Sequence, residues 1–243
     1  MNKKLVKLYL KNSSSRDNED LPVLDYINEI NHGQNLSMLE VGSGECRFAK
    51  KIAKLYPNIK ITCIEINPSL AKIAADCGFE VLNEDILNVN ATREYDIVHC
   101  SHVIEHFGYP QVTQLLDFLV NSTKLNMCFI LRSPLMHKDF YIDIDHIRPY
   151  PPEAIQNYFC LKQQQKQSAA NISVKKLWYR TTPKIKDELQ TWDNLYLLRH
   201  FRPLFNRIIR FINKINLELW NRFRVPSSKP NGYVMIIKVI QKW

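Results

Sequence analysis

The chain has 243 residues, 45% hydrophobic and 23% charged, ordinary for a globular protein and enough for one α/β core with a generous insertion. No apolar run approaches the ~18 residues that a spanning helix needs, and the lysine-interrupted start does not read as a signal peptide. The net charge is +9, and the six cysteines (46, 63, 77, 100, 128 and 160) form no Cys-x-x-Cys; Cys63 and Cys100 lie in apolar runs, as reduced thiols of a cytoplasmic protein do.

Residues 1–20 are polar and predict a loose N-terminal arm. A helix over 21–30 precedes a first strand at 37–41. The next helix, at about 45–56, carries Phe48, Ile52, Ala53 and Leu55 on its apolar side and is stopped by Pro57. A second strand covers 60–66, and Pro68 opens a helix that Gly78 ends. Strands follow at 79–82, 95–100 and 127–131, with a helix over 110–124 between the last two. Residues 163–165, three glutamines, read as a solvated linker. The pattern at 171–179 suits a sixth strand and that at 232–239 a seventh. Strands alternating with helices at this spacing predict an α/β, doubly wound, mostly parallel Rossmann-like sheet. Ligands of such sheets bind outside the carboxyl ends of the strands.

The most informative stretch is Met38-Leu-Glu-Val-Gly-Ser-Gly-Glu-Cys46. Gly42 and Gly44, with Ser43 between them, allow a sharp turn and a close approach to a ligand. The dinucleotide fingerprint needs a third glycine where Arg47 stands. Glu40, two positions before the turn, would repel a pyrophosphate but suits a ligand with an ammonium and a sulfonium, which points to S-adenosylmethionine. Glu65 closes the second strand, where an ionised acid can accept from both hydroxyls of a ribose. Asp85 follows the third strand, placed to accept from an adenine amino group with Ile86 beside it to cover a ring face. Ser101 and His102 follow the fourth. Each acid alone could be a solvated loop residue; four strand ends in order argue for a site.

These pieces resemble the class I S-adenosylmethionine-dependent methyltransferases, in particular their small-molecule branch. The resemblance rests on Leu39-Glu-Val-Gly-Ser-Gly44, Cys63-Ile-Glu-Ile66, Asn83-Glu-Asp-Ile86, Asp96-Ile-Val-His-Cys-Ser-His-Val-Ile-Glu-His106 and Phe129-Ile-Leu-Arg-Ser-Pro134. It implies Glu40, Gly42, Ser43 and Gly44 around the methionine part, Glu65 and Ile66 at the ribose, Asp85 and Ile86 at the adenine, and Ser101 adjoining. It also implies seven strands with the last antiparallel between the fifth and sixth. Cys46 stands where the family often has a third glycine, which predicts a slightly wider loop.

His102-Val-Ile-Glu105-His106 fits a zinc-protease pattern, but it follows a core strand instead of lying on a helix. It also resembles a Glu-x-x-Glu-His element of some metal-assisted O-methyltransferases, including small-RNA 3′-end and quinone-pathway enzymes, with His102 in place of the first glutamate. That resemblance needs a later histidine, which His146 supplies, so Glu105, His106 and His146 are the candidate ligands for a divalent metal that is not the favoured reading. Without metal, His106, His146 or His102 are the candidate catalytic bases, since an unperturbed imidazole titrates near neutrality. No Asp/Asn-Pro-Pro-Tyr/Phe follows the fourth strand and no Pro-Cys pair occurs, which disfavours nucleobase methylation.

Residues 181–230 interrupt a core of 21–180 and 231–243 as a basic helical insertion, expected to cover the acceptor site. Between positions 194 and 230 there are eight Lys/Arg and one acid, Glu218. Leu204, Ile208, Phe211, Ile212, Ile215 and Leu219 repeat at helical spacing, interleaved with Trp192, Tyr196, Phe201, Phe205, Trp220 and Phe223. A lid with its apolar face on the core, a peripheral contact with anionic membrane, and a site for a phosphate-bearing or nucleic-acid acceptor all fit; nucleic acid fits least well. The expected activity is O-methylation of a small-molecule, glycan or lipid-linked acceptor. The alternatives are a metal-assisted RNA ribose methyltransferase and a non-catalytic cofactor-binding partner protein.

Overall fold

The computed structural model describes residues 19–137, 139–160, 170–181, 202–223 and 230–243. The arm over 1–18, the glutamine linker, Trp192, Tyr196 and Phe201 lie outside them. Glu19 and Asp20 are buried. The loose arm therefore does not reach residue 20, because α1 (Asp20–Ile30) begins inside the core.

Seven strands form one sheet in the order β3-β2-β1-β4-β5-β7-β6. They are β1 (Leu36–Val41), β2 (Ile59–Ile64), β3 (Glu80–Leu82), β4 (Tyr95–Ser101), β5 (Thr123–Pro134), β6 (Ala170–Thr181) and β7 (Pro230–Lys242). The pairs β1–β2, β2–β3, β1–β4 and β4–β5 are parallel, and β7 runs antiparallel to β5. The expected doubly wound architecture with an antiparallel last strand is present. β5 starts four residues before the expected point. Its register against β4 slips between Tyr95 and Ile97, and Asn126 takes a left-handed φ of 66°. That irregularity removes the alternation by which the strand's first residues would be read.

The helices are α1, α2 (Arg47–Leu55), α3 (Pro68–Asp76), α4 (Gln111–Asn121), α5 (Pro152–Cys160) and α6 (Arg202–Phe223). Asn67 caps α3 by accepting from the Ser69 and Leu70 amides, with Pro68 in the first turn where no donor is needed. One core cluster joins α1 and α2 to Met38, Ile61, Ile97, Ile130 and Ile236; a second joins α4 and α5 to Leu39, Val98, Phe129 and Ile237. Neighbouring strand residues thus face opposite cores, which leaves the carboxyl ends of β1, β2, β4 and β5 as one functional edge. Residues 1–180 with 232–243 form one compact unit and 181–231 another.

Candidate active site

The edge begins with the loop after β1. Gly42, Gly44 and Cys46 have φ of 68°, 52° and 57°. A Cβ on Gly42 would stand 2.4 Å from Val103 Cγ2, so the loop and the segment after β4 approach too closely for a side chain. Cys46 adopts the glycine-like conformation itself, at a cost of about 1–2 kcal/mol. Its amide donates to Ser43 O at 2.9 Å and its thiol is buried. The turn therefore stays tight instead of widening.

Glu65 follows β2. Its Oε2 accepts from the Gly44 amide at 2.7 Å and its Oε1 from the Asn67 amide at 3.0 Å. Asn83 Nδ2 donates to the carbonyls of Glu65 and Ile66 at 2.7 and 3.1 Å. The acid thus braces the glycine loop and keeps lone pairs free for further donors. Asp85 Oδ1 accepts from the Leu87 amide at 3.0 Å. The apolar surface beside these acids belongs to Ile66, which is 64% exposed, whereas Ile86 is buried in the core cluster. The ring-covering role expected of Ile86 is corrected on that ground. Ser43 is buried, and Ser101 is half-buried at the end of β4.

Glu40 also departs from expectation. It is 3% exposed, and its Oε2 accepts from His99 Nδ1 at 2.8 Å across the β1–β4 register. The carboxylate sits beneath the loop, with Oε2 bonded to a fully buried imidazole. Burial pushes the His99 pKa down, outweighing Glu40, so the ring is neutral with its proton on Nδ1. His99 stacks on Phe48 at 4.3 Å between centroids, and the Arg132 guanidinium lies 4.3 Å over the same ring. Arg132 of β5 pairs with Asp20 of α1, which also pairs with Lys51 of α2, so three elements meet in a buried ionic cluster. Glu19 receives Arg180 Nη1 at 2.9 Å. Burial raises the pKa of Glu19 and Asp20, but the cationic and hydrogen-bond partners prevail and hold both below the usual carboxylate range. Sequence reading missed this cluster. A histidine and an arginine in otherwise apolar strands were its legible signal; Glu19, Asp20 and Lys51 read as ordinary solvated residues.

The acceptor-side residues come from the turn after β4 and the loop after β5. His102 has a left-handed φ of 56°, with Nδ1 3.1 Å from Glu105 Oε1 and Nε2 3.7 Å from Glu19 Oε2. Burial lowers its pKa, but the hydrogen bonds and charges of Glu105 and Glu19 win and raise it to about 9. His102 is therefore a cation at neutral pH and cannot take up a proton there, so the base role expected of it is withdrawn. Glu105 is fully buried, and Ser133 Oγ donates to its Oε2 at 3.5 Å.

His106 and His146 come together, 5.0 Å between ring centroids. His106 Nδ1 faces Asp145 O at 3.2 Å and His146 Nδ1 faces Phe140 O at 2.7 Å. A carbonyl only accepts, so each Nδ1 carries a hydrogen, while His146 Nε2 lies 3.7 Å from Asp143 Oδ2. One ligand atom from each of Glu105, His106 and His146 lies within 4.8 Å of the others.

One acid, Glu65, braces the glycine loop, Asp85 follows β3, and two paired imidazoles follow β4 and β5. Residues 39–126 match the model described as a methyltransferase domain. That stretch is similar to a methyltransferase domain. A relative from Ilyobacter polytropus, malonyl-[acyl-carrier protein] O-methyltransferase 1, is 32% identical over 74 residues. That match covers 28% of this chain and 28% of the relative. The structure of a SAM-dependent methyltransferase from Archaeoglobus fulgidus matches with a TM-score of 0.58 at 19% identity, over 98% of this chain and 100% of that one. The N-methyltransferase NodS from Bradyrhizobium japonicum, in complex with S-adenosyl-L-homocysteine, gives 0.57 at 12% identity, over 96% and 90% of the two chains. The matched stretch thus sits in a chain whose fold is that of the class I methyltransferases.

Proposed function

We propose that this chain transfers a methyl group from S-adenosylmethionine to an oxygen of a small-molecule acceptor, within a class that includes glycan and lipid-linked compounds. The observation that carries the reading is the convergence, on one sheet edge, of the Gly42–Gly44 turn with Glu65 and of two imidazoles each held through Nδ1 by a loop carbonyl. The turn admits the methionine part, Glu65 accepts from the ribose hydroxyls, and Ile66 with Asp85 receives the adenine. His106 or His146 removes the acceptor's proton as the methyl group leaves the sulfonium. Alignment supplies the rest of the rate, because the sulfonium is already a good leaving group. The named activity of the Ilyobacter relative supports oxygen as the methylated atom.

The test is incubation with methyl-labelled S-adenosylmethionine and a panel of hydroxyl, carboxyl and amine acceptors. Label should pass to an oxygen acceptor with wild-type protein and not with His106→Ala/His146→Ala. Failure to bind S-adenosylhomocysteine would sink the reading; binding without any transfer would select the non-catalytic partner protein.

A second reading is favoured by the clustering of Glu105, His106 and His146. Two imidazole Nε2 atoms and one carboxylate form a donor set suited to a divalent cation, and each Nδ1 is held as the second shell of a metal site requires. Bound there, the cation would lower the pKa of an acceptor hydroxyl. The His102 cation competes for the Glu105 carboxylate, which keeps this reading second. Activity abolished by a chelator and restored by magnesium or manganese would promote it, and with it ribose 2′-hydroxyls as acceptors.

A further inference from the structure

Helix α6, Arg202–Phe223, has two unlike faces. At 3.6 residues per turn, Leu204, Ile208, Phe211, Ile212 and Ile215 fall within an arc of about 100°. All five are between 40% and 63% exposed. Asn206, on the opposite side, is 9% exposed. A helix of a globular protein ordinarily turns its apolar stripe inward and its amides to water; α6 does the reverse.

The charge follows the same geometry. Arg207, Arg210 and Lys214 are exposed and run along one edge of the stripe, and no acid occurs in α6 before Glu218. A bare apolar stripe in water is unfavourable by roughly 25 cal/mol per Å², so an occupant has to offer hydrocarbon. The row of cations beside it asks for anions. A second copy of the chain, docked about a two-fold axis, would set this row against its own image. A nucleic acid would satisfy the cations and leave the stripe in water. An anionic lipid surface offers acyl chains and negative headgroups at the depths where such a helix presents its two kinds of group. Twenty-two residues make a helix of about 33 Å, able to lie in that plane. Among the described residues no helix is long and apolar enough to cross a membrane.

We propose that α6 is an interfacial helix that docks the protein on anionic lipid, with the stripe from Leu204 to Ile215 at the acyl boundary and Arg207, Arg210 and Lys214 among the headgroups. The inference goes beyond methyl transfer and stands without it, since lipid binding requires neither cofactor nor turnover.

The test is co-sedimentation of the full chain with phosphatidylcholine vesicles, with and without phosphatidylserine, at low salt. Wild-type protein should bind the phosphatidylserine vesicles. Arg207→Gln/Arg210→Gln/Lys214→Gln should weaken that partition about a hundredfold, at about fivefold per charge. The difference should shrink as salt rises. Ile208→Asp/Ile212→Asp should abolish binding while the circular dichroism and melting temperature match wild type. The proposal is overturned by absence of wild-type binding, or by binding that neither variant alters. It is equally overturned by a wild-type dimer that Ile208→Asp/Ile212→Asp converts to monomer, which would make a second copy the occupant.

Discussion

The ends of β1 and β2 and the ends of β4 and β5 belong to one edge of one sheet, yet they are built from different materials. After β1 and β2 the backbone takes part throughout: positive φ at three of five consecutive positions, the Gly44 and Asn67 amides on Glu65, and the Glu65 and Ile66 carbonyls under the Asn83 side chain. After β4 and β5 side chains do it, and loop carbonyls hold the two imidazoles in place. A backbone-built half tolerates little substitution and fits one ligand; a side-chain half on loops can be re-tuned to a new acceptor without disturbing the other.

The largest effect should come from forcing a side chain into the backbone half. Gly42→Val is expected to abolish S-adenosylhomocysteine binding in calorimetry, because its Cβ would collide with Val103. Gly42→Ala/Val103→Ala should recover part of the affinity. Full recovery would mean that the steric contact alone, and not the φ of 68°, makes glycine necessary.

On the other half, His106→Ala/His146→Ala should cut turnover by about a hundred- to ten-thousandfold, the usual worth of general base catalysis. Cofactor affinity, measured separately, should stay within twofold or so, a split that a defect in folding would not produce. If both quantities fall together, the two halves are not independent. Next in size, Glu65→Ala should weaken S-adenosylhomocysteine binding by about 1.5–3 kcal/mol, the contribution of hydrogen bonds to a charged group. Unchanged affinity would leave Glu65 as a brace only.

The same contrast explains what could be read from the chain. The glycine turn, Glu65 and Asp85 were legible because a backbone requirement writes itself into residue type and spacing. Strand order was legible because apolar runs alternate with helical periods. The exposure of Ile66 and the burial of Ile86 were not, since both are isoleucines after a strand and only packing tells which is covered. Nor was the pairing of Glu40 with His99, which depends on the register of β1 against β4. The outward stripe of α6 was equally hidden, because periodicity shows that a helix has an apolar face without showing which way it points.

The smallest effect concerns the ion pairs around His102. Its pKa is raised from 6.5 to about 9, so its contribution to stability is complete below about pH 6.5 and is lost as pH rises through about 9. The ring is 40% exposed, and solvent screening keeps that contribution within about 1 kcal/mol. Melting temperature should therefore decline slightly over that window in the wild type and stay flat in His102→Gln. An unchanged slope would mean that Glu19 and Glu105 do not hold the proton on this ring.

Arg180 and Gly232 meet near the point where the chain leaves β6 and re-enters at β7: a Cβ on the glycine would stand 2.7 Å from the guanidinium. The intervening 51 residues are thus an excursion that begins and ends at one spot on the sheet. Such an excursion behaves as an exchangeable cassette. It can lengthen, shorten or be replaced by a tight turn without shifting the register of any strand or moving a residue of the glycine loop. A lineage carrying this sheet can acquire a new place of work by trading that cassette, while its chemistry is inherited intact.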